Sequence, residues 1–290
     1  MATPIPSNSC SFTLDEVAVA TGGTLVGLPD TSVTGVVTDS RAIRRGALFV
    51  ALRGARFDGH QYLGSAIEHG AAAAIVERGR GDARLACIEV PDTLTALGAL
   101  AKHHLDRIRA KTDLRVIAIG GANGKTTTKE LTAAAAAALF PPTLKTPGNL
   151  NNLIGVPMTL FTLTEEHRSA VIECGTNRRG EVARLAGILM PDVALVLNVD
   201  IEHSEGLGTI DEIADEEASL FSGARTAVAS ADEPKVTGRI PAGMRPVTFG
   251  AGPGADVCFT REPSEEPERA AITLRLAPAL VEAGAEAKLP

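Results

Sequence analysis

Beyond residue 114 the chain alternates between short, largely apolar runs and longer stretches whose apolar positions recur every three to four residues. The runs are Leu114–Ile119, Ala170–Glu173, Val193–Val199 and Thr226–Ala229. The stretches between them, Thr126–Phe140, Gly180–Leu189 and Ile210–Phe221, have helical periodicity. Strands without polar alternation are buried on both faces, so the pattern predicts a mostly parallel sheet covered by helices. The alanine run Ala133–Ala138 favours helix, and Pro141-Pro142 stops it. Residues before 114 give a smaller α/β pattern. Phe12–Gly22 reads as a helix with Thr13 as its cap, Val33–Val37 and Ala47–Leu52 as strands, Tyr62–His69 as a helix and Ala73–Val76 as a strand. Pro91-Asp92 punctuates the end, and Thr93–Arg109 is a helix leading to the next strand. The expected organisation is a domain over 1–90 and a second, mostly parallel α/β domain over 91–290. Asp256–Pro290 reads as two further strands around a charged loop, Glu262–Arg269, and the chain stops there with no capping element, like part of a longer protein.

Composition narrows the function classes. The 290 residues suit two domains, and 44% hydrophobic with 22% charged residues is a globular balance. No apolar run reaches the ~20 residues of a membrane span. The N-terminus lacks a basic stretch followed by an apolar one, so no secretory signal is expected and the cytoplasm is the default compartment. Cys10, Cys87, Cys174 and Cys258 are scattered and form neither a disulfide framework nor a C-x-x-C metal site. A net charge of −7, one tyrosine and no tryptophan argue against nucleic-acid binding. Small anions remain suitable ligands, because backbone N–H groups can hold them.

Gly121-Ala122-Asn123-Gly124-Lys125-Thr126-Thr127 follows an apolar strand and opens a helix. That context makes it a phosphate loop: glycines let N–H groups close on phosphate oxygens, Lys125 adds a charge, and the Thr126 hydroxyl can hold Mg²⁺. The common G-x-x-x-x-G-K-[ST] spacing does not fit, since its first glycine would fall on Ile119. The shorter G-x-x-G-K-T resembles the loop of the Mur ligase superfamily, whose usual form has Thr where this chain has Ala122. That superfamily includes the ATP-dependent enzymes that build the peptide of bacterial cell-wall precursors, and folylpolyglutamate synthase. Pro147–Pro157 resembles the G-N-x-N-N-x-I-G-x-P segment of the members that add D-alanyl-D-alanine. Glu173–Asn177 and His203–Gly208 are similar to further segments of the same members. Thr38–Arg41, Gly46–Leu52 and Phe57–His60 resemble their UDP-sugar-binding domain. Order and spacing together extend the resemblance over nearly the whole chain.

The resemblance implies a small N-terminal α/β UDP-sugar-binding domain followed by a P-loop-type ATPase domain. It implies an ATP- and Mg²⁺-dependent ligase joining D-alanyl-D-alanine to UDP-N-acetylmuramoyl tripeptide through an acyl phosphate. Lys125, Glu173, His203, Asn149 and Asn152 are then the catalytic candidates. Glu173 closes a buried strand at its C-terminal edge, where ligands sit in α/β sheets, and is either an Mg²⁺ ligand or a surface charge. His203 is implied to hold a second metal ion; otherwise it is an exposed loop histidine. Asn149 and Asn152 either orient the reacting groups or make turns and caps. Asp39, Ser40, Arg41, Asp58, His60, Thr146 and Asn177 are the substrate-binding candidates. Cys174 is expected to be only small and buried.

Two features depart from the pattern. Many relatives carry a carbamylated lysine fourteen residues after the metal-binding histidine; here that position is Glu217, flanked by Asp215 and Glu216. Either Glu217 supplies a metal-binding carboxylate directly, or the metal is held otherwise and 215–217 is a solvated helix face. The third, C-terminal domain of the family, on the order of 100–150 residues, has no counterpart here, so the chain by itself is expected to be inactive. A ligase adding a different amino acid and a non-catalytic nucleotide- or UDP-sugar-binding fragment are the rival expectations.

Overall fold

The structure is a computed structural model that describes residues 3–27, 32–54, 57–200, 207–244, 246–261, 272–278 and 280. Its elements in chain order begin with β1 (Ser11–Thr13), α1 (Leu14–Thr21), β2 (Thr24–Val26), β3 (Ser32–Thr34), β4 (Val36–Val37), β5 (Leu48–Val50), α2 (Leu63–Glu68), β6 (Ala73–Glu77), β7 (Ala86–Val90) and α3 (Thr93–Arg109). There follow β8 (Arg115–Gly120), α4 (Lys125–Leu139), β9 (Thr143–Lys145), α5 (Gly155–Leu160), β10 (Ser169–Glu173), α6 (Glu181–Leu189) and β11 (Val193–Val196). The last are α7 (Ile210–Ala218), β12 (Thr226–Ser230), α8 (Pro234–Thr237), β13 (Val247–Gly250), β14 (Val257–Arg261) and β15 (Ile272–Leu276). They fall into two compact units, Met1–Arg115 with Lys129–Glu173, and Val116–Thr128 with Cys174–Pro290.

In the first unit a sheet runs β2-β7-β6-β5-β4. All its pairs are parallel except β2 with β7. Leu48, Phe49, Val50 and Ala73 to Val76 are fully enclosed, as the absence of polar alternation predicts for a sheet covered on both faces. Phe49, Leu63, Ala66, Val76 and Leu85 form part of its core. The Thr13 side chain accepts from Glu16 N–H while Glu16 answers at Thr13 N–H, a reciprocal cap that starts α1. Gly22, at φ +62°, ends it. Asp92 caps α3, which buries Leu97, Leu100, Ala101, His104, Leu105 and Ile108 along one face. β10 pairs in parallel with β9 and is buried over its whole length.

In the second unit the strands follow the order β15-β14-β13-β12-β11-β8. The pairs are parallel except the final β14–β15 hairpin. Thr209 and Glu212 form another reciprocal cap at the start of α7.

The run Val193–Val199 is a strand only to Val196. Beyond it Leu197 N–H still donates to Gly120 O at the end of β8, and only at Asn198, whose O accepts from Ala122 N–H, does the backbone turn to serve the adjoining loop. The helix expected over Ile210–Phe221 is α-helical to Ala218 and then tightens to a 3₁₀ turn at Ser219–Phe221. The four cysteines are buried and none is in a disulfide. Burial pushes the Cys10 thiol up to about 12, which leaves it unreactive at neutral pH.

The His104 imidazole is 3% exposed; its Nε2 lies 3.0 Å from Leu163 O and its Nδ1 has no hydrogen-bond partner. Burial lowers its pKa to about 4. The unfolded chain binds this proton near pH 6.5 and the folded chain does not until about pH 4. Its contribution is therefore fully present above pH ~6.5 and is lost as pH falls toward ~4, flattening below. Urea midpoints measured from pH 7 to 4 should fall through this window. His104→Gln, which keeps a donor for Leu163 O but does not titrate, should flatten the fall; an unchanged slope would clear His104 of responsibility.

Candidate functional site

β8 delivers the chain into the glycine loop, and α4 takes it away. Gly121 sits at φ +117° and Gly124 at φ +84°, backbone conformations that side chains disfavour. A Cβ on Gly121 would also meet Asn198 O and Leu197 N at 3.0 Å. The loop is tied down at three successive N–H groups. Gly121 N–H donates to Glu217 Oε2 at 2.7 Å. Ala122 N–H donates to Asn198 O at 3.0 Å. Asn123 N–H donates to Asn198 Oδ1 at 2.8 Å. The Lys125 ammonium folds back on Gly121 O and Ala122 O, at 2.5 and 2.8 Å. Thr128 N–H makes the first turn's bond, to Gly124 O. The N–H groups of Lys125, Thr126 and Thr127 therefore precede the intrahelical ladder, at the positive end of the helix dipole. Seven sequence candidates, Gly121 to Thr127, thus form one continuous cradle at a helix start.

Glu217 and Glu216 on α7 are 4% and 7% exposed, which overturns the solvated-face reading for both. Glu217 accepts from the loop. Glu216 accepts from Gly180 N–H at 2.6 Å and Val182 N–H at 2.8 Å, fixing the start of α6. Of the three acidic neighbours, Asp215 alone stays exposed, paired with Arg239. The reason is orientation: positions 216 and 217 face inward toward backbone donors, and 215 faces out.

In the first unit Glu173 is 2% exposed at the end of β10. Its Oε1 accepts from Asn151 Nδ2 at 2.8 Å, and its Oε2 lies 3.7 Å from Lys129 Nζ. Lys129 is as buried as Glu173; it also lies 3.3 Å from Gly148 O and 3.2 Å from Glu130 Oε1. The carboxylate is thus a buried, oriented group and not a surface charge. Lys129 and Asn151 were not among the sequence candidates. Lys129 lies one turn after Lys125 on the same helix face, the one signal that could have found it.

Other candidates are placed differently. Thr146 is fully buried and its hydroxyl accepts from Glu173 N–H at 2.9 Å, which holds the strand end. Asn152 Oδ1 accepts from Ile154 N–H and Gly155 N–H, the turn-making role, at the entry to α5. Asn149 is exposed, its N–H directed to Thr3 Oγ1. Asn177 is exposed, its N–H bonded to Glu181 Oε2. His203 lies outside the described residues. Among the described residues no group of three or more His, Cys, Asp or Glu side chains is arranged to hold a metal ion.

Asp39, Ser40 and Arg41 line a cavity of about 620 Å³ with Thr38, Phe57 and Tyr62. Asp39 caps the short turn at Ser40–Ala42 and pairs with Arg41, whose guanidinium is 87% exposed at the rim. The hydrogen bond from Arg41 holds the Asp39 carboxyl below its usual pKa. Asp58 and His60 are not among the residues that line this cavity. Glu77 N–H donates to His60 Nε2 at 2.9 Å, so the ring proton sits on Nδ1 and is donated to Asp58 at 2.7 Å. Arg80, and after it the His60 ring, hold the Asp58 carboxyl well below the usual carboxylate range. Both imidazole nitrogens are spent within the protein.

Comparison with known proteins agrees with these motifs. The model of the Mur ligase middle domain matches residues 119–279, and that of the Mur ligase family catalytic domain matches 32–105. The UDP-N-acetylmuramoyl-tripeptide–D-alanyl-D-alanine ligase of Escherichia coli K12 is 42% identical over 213 residues, covering 73% of this chain and 46% of that protein. Its Bacillus subtilis counterpart is 37% identical, with 73% and 46% covered. This chain thus spans about half the length of the curated relatives it matches. Crystal structure I of MurF from Acinetobacter baumannii superposes with a TM-score of 0.81 at 32% identity, covering 93% of this chain and 62% of that one. MurF ligase from Thermotoga maritima in complex with ADP gives 0.71 at 28%, covering 82% and 57%. The fold is α/β with mostly parallel sheets, as the sequence pattern predicts.

Proposed function

The chain belongs to the Mur ligase family, and we propose that it supplies the nucleotide- and UDP-substrate-binding parts of an ATP-dependent ligase that joins D-alanyl-D-alanine to UDP-N-acetylmuramoyl tripeptide during peptidoglycan precursor synthesis. The observation that carries this reading is the G-x-x-G-K-T cradle at the start of α4. It is supported by the similarity to ligases named for that reaction. Residues 1–90 then serve the UDP-substrate and 91–290 the ATP. The compartment is the cytoplasm, where ATP and nucleotide-linked precursors meet. Among the described residues no helix is long and apolar enough to cross a membrane.

In the proposed reaction a substrate carboxylate oxygen attacks the γ-phosphorus of ATP, and ADP leaves. The amine of the dipeptide then attacks the acyl carbon, phosphate leaves, and an amide forms. Two anions must meet in the first step, so positive charge at the phosphates lowers its barrier. The N–H groups at the start of α4 and the Lys125 ammonium supply it. Lys125 must exchange its present carbonyl partners for phosphate oxygens. Mg²⁺ fits the chemistry of the loop: the Thr126 hydroxyl is a hard oxygen, and this ion accepts a few such ligands beside phosphates and water. When bound, it would neutralise charge between the terminal phosphates. The Asp39–Arg41 cavity, with Phe57 and Tyr62 half-exposed beside it, offers a base-stacking surface and a cation for the UDP end.

Lys125→Ala should remove a charge-assisted contact of ~1.5–3 kcal/mol and lower ATP affinity about tenfold or more. Calorimetry with ATP and Mg²⁺ showing equal affinity in a folded variant would take Lys125 out of the site. The reading as a whole is tested by titrating UDP-N-acetylmuramoyl tripeptide into the chain, with UDP as competitor. Absence of saturable, UDP-competed binding would overturn it. Phosphate release that follows a single amino acid instead of the dipeptide would point to another amino-acid-adding ligase of the family.

A further inference from the structure

The phosphate loop is two residues shorter than the common form, so it has fewer peptides with which to bond to itself. The structure replaces them with one residue, Asn198, two positions after β11 ends. Its side-chain carbonyl accepts from Asn123 N–H at 2.8 Å, and its side-chain amide donates to Asn123 O at 3.1 Å. Its own main-chain carbonyl accepts from Ala122 N–H at 3.0 Å. An asparagine side chain carries the same donor and acceptor pair as a peptide group. It therefore mates with residue 123 as a neighbouring strand would, through side-chain atoms on one partner. Successive loop peptides are pinned to a single residue.

We infer that Asn198 is a positioning residue for nucleotide phosphate, acting through the loop without touching the ligand. With both polar groups of residue 123 directed to Asn198, the peptide at 123 is turned out of the cradle. The phosphates are left to the N–H groups that open α4 and to Lys125. Without the tie, the left-handed turns at Gly121 and Gly124 have other conformations open to them, and binding must select the productive one, which weakens affinity. The contact of the Asn123 side chain is secondary: its Nδ2 reaches Asp200 Oδ2 only at 3.3 Å. What matters at position 123 is the peptide, so the sequence there is read by Asn198 as backbone.

This inference rests on the nucleotide-binding reading, and its test separates the two. MgATP is titrated calorimetrically into wild type, Asn198→Ala and Asn198→Asp, and amide hydrogen exchange over 121–127 is followed without nucleotide. Asn198→Ala removes both side-chain bonds. It should speed exchange at Asn123 and weaken MgATP on the order of tenfold, with the nucleotide-free melting temperature nearly unmoved. Asn198→Asp is isosteric and keeps the acceptor, so Asn123 N–H should stay protected. Its second oxygen faces Asn123 O and adds negative charge beside the phosphates, so affinity should fall at least as far as in Asn198→Ala. Wild-type affinity in Asn198→Ala, or a loss that merely follows a general fall in melting temperature, overturns the positioning role. A wild-type chain that binds no MgATP overturns the function proposed above. The exchange comparison then still decides whether Asn198 holds the loop, and unchanged exchange in Asn198→Ala counts against it.

Discussion

Lys129→Met should lower stability by about 3–5 kcal/mol, read as a shift of the urea midpoint. The size follows from burial. Lys129 and Glu173 are both nearly inaccessible, and removing one partner of a buried ion pair strands the other charge in a poor dielectric. The bond from Asn151 Nδ2 offsets part of that cost at Glu173. The reverse change, Glu173→Gln, should cost less, because Lys129 retains Gly148 O and the half-exposed Glu130 carboxylate. Combining the two changes should cost clearly less than their sum, since the double variant leaves neither charge stranded. A Lys129→Met protein within about 1 kcal/mol of wild type, or strict additivity in the double variant, would mean that 3.7 Å of separation leaves the charges uncoupled.

What the sequence disclosed depends on how local each feature is. The phosphate loop was legible because strand, glycine turn and helix start are consecutive, and their chemistry is set by neighbours in the chain. The same holds for the Thr13–Glu16 cap, whose reciprocal bonds span one helical turn. Lys129 was not legible, because an exposed helix lysine and a buried one look alike until the strand carrying Glu173 is placed. Asn198 was hidden for the same reason; its partners are loop peptides far away in sequence. His60 sits in a motif that reads as substrate-binding, yet Glu77 N–H and Asp58 claim its ring from within. The strands β2, β9 and β13 hold only three or four residues each, too few for a period to show. α5 was not foreseen in the sequence; its Pro157 lies in the first helical turn, where no N–H is needed.

At position 217, alanine should cost far more than glutamine. The sequence left Glu217 as either a metal-binding carboxylate in place of a carbamate or part of a solvated helix face. The structure gives its carboxylate a nearer duty, accepting Gly121 N–H at 2.7 Å where the loop leaves β8. Gly121 is itself buried, so an unmet N–H there bears a full desolvation cost, and a bond to a charged acceptor contributes ~1.5–3 kcal/mol. Glu217→Gln keeps an oxygen of similar reach and should hold MgATP affinity within about threefold. Glu217→Ala should lose about tenfold or more, because the first loop peptide is then free to turn. Glu217→Lys is the most severe: it replaces the acceptor with a longer cation at a site only 4% exposed and should cost about 3–5 kcal/mol. Bicarbonate should not restore it, since a carbamate on that chain would still lack room beside Gly120, where even a Cβ would meet the present carboxylate at 3.0 Å. The opposite pattern would show the anchor to be incidental: Glu217→Gln as impaired as Glu217→Ala, with a raised Mg²⁺ requirement. The carboxylate would then be held for the metal, and the Gly121 N–H would merely orient it.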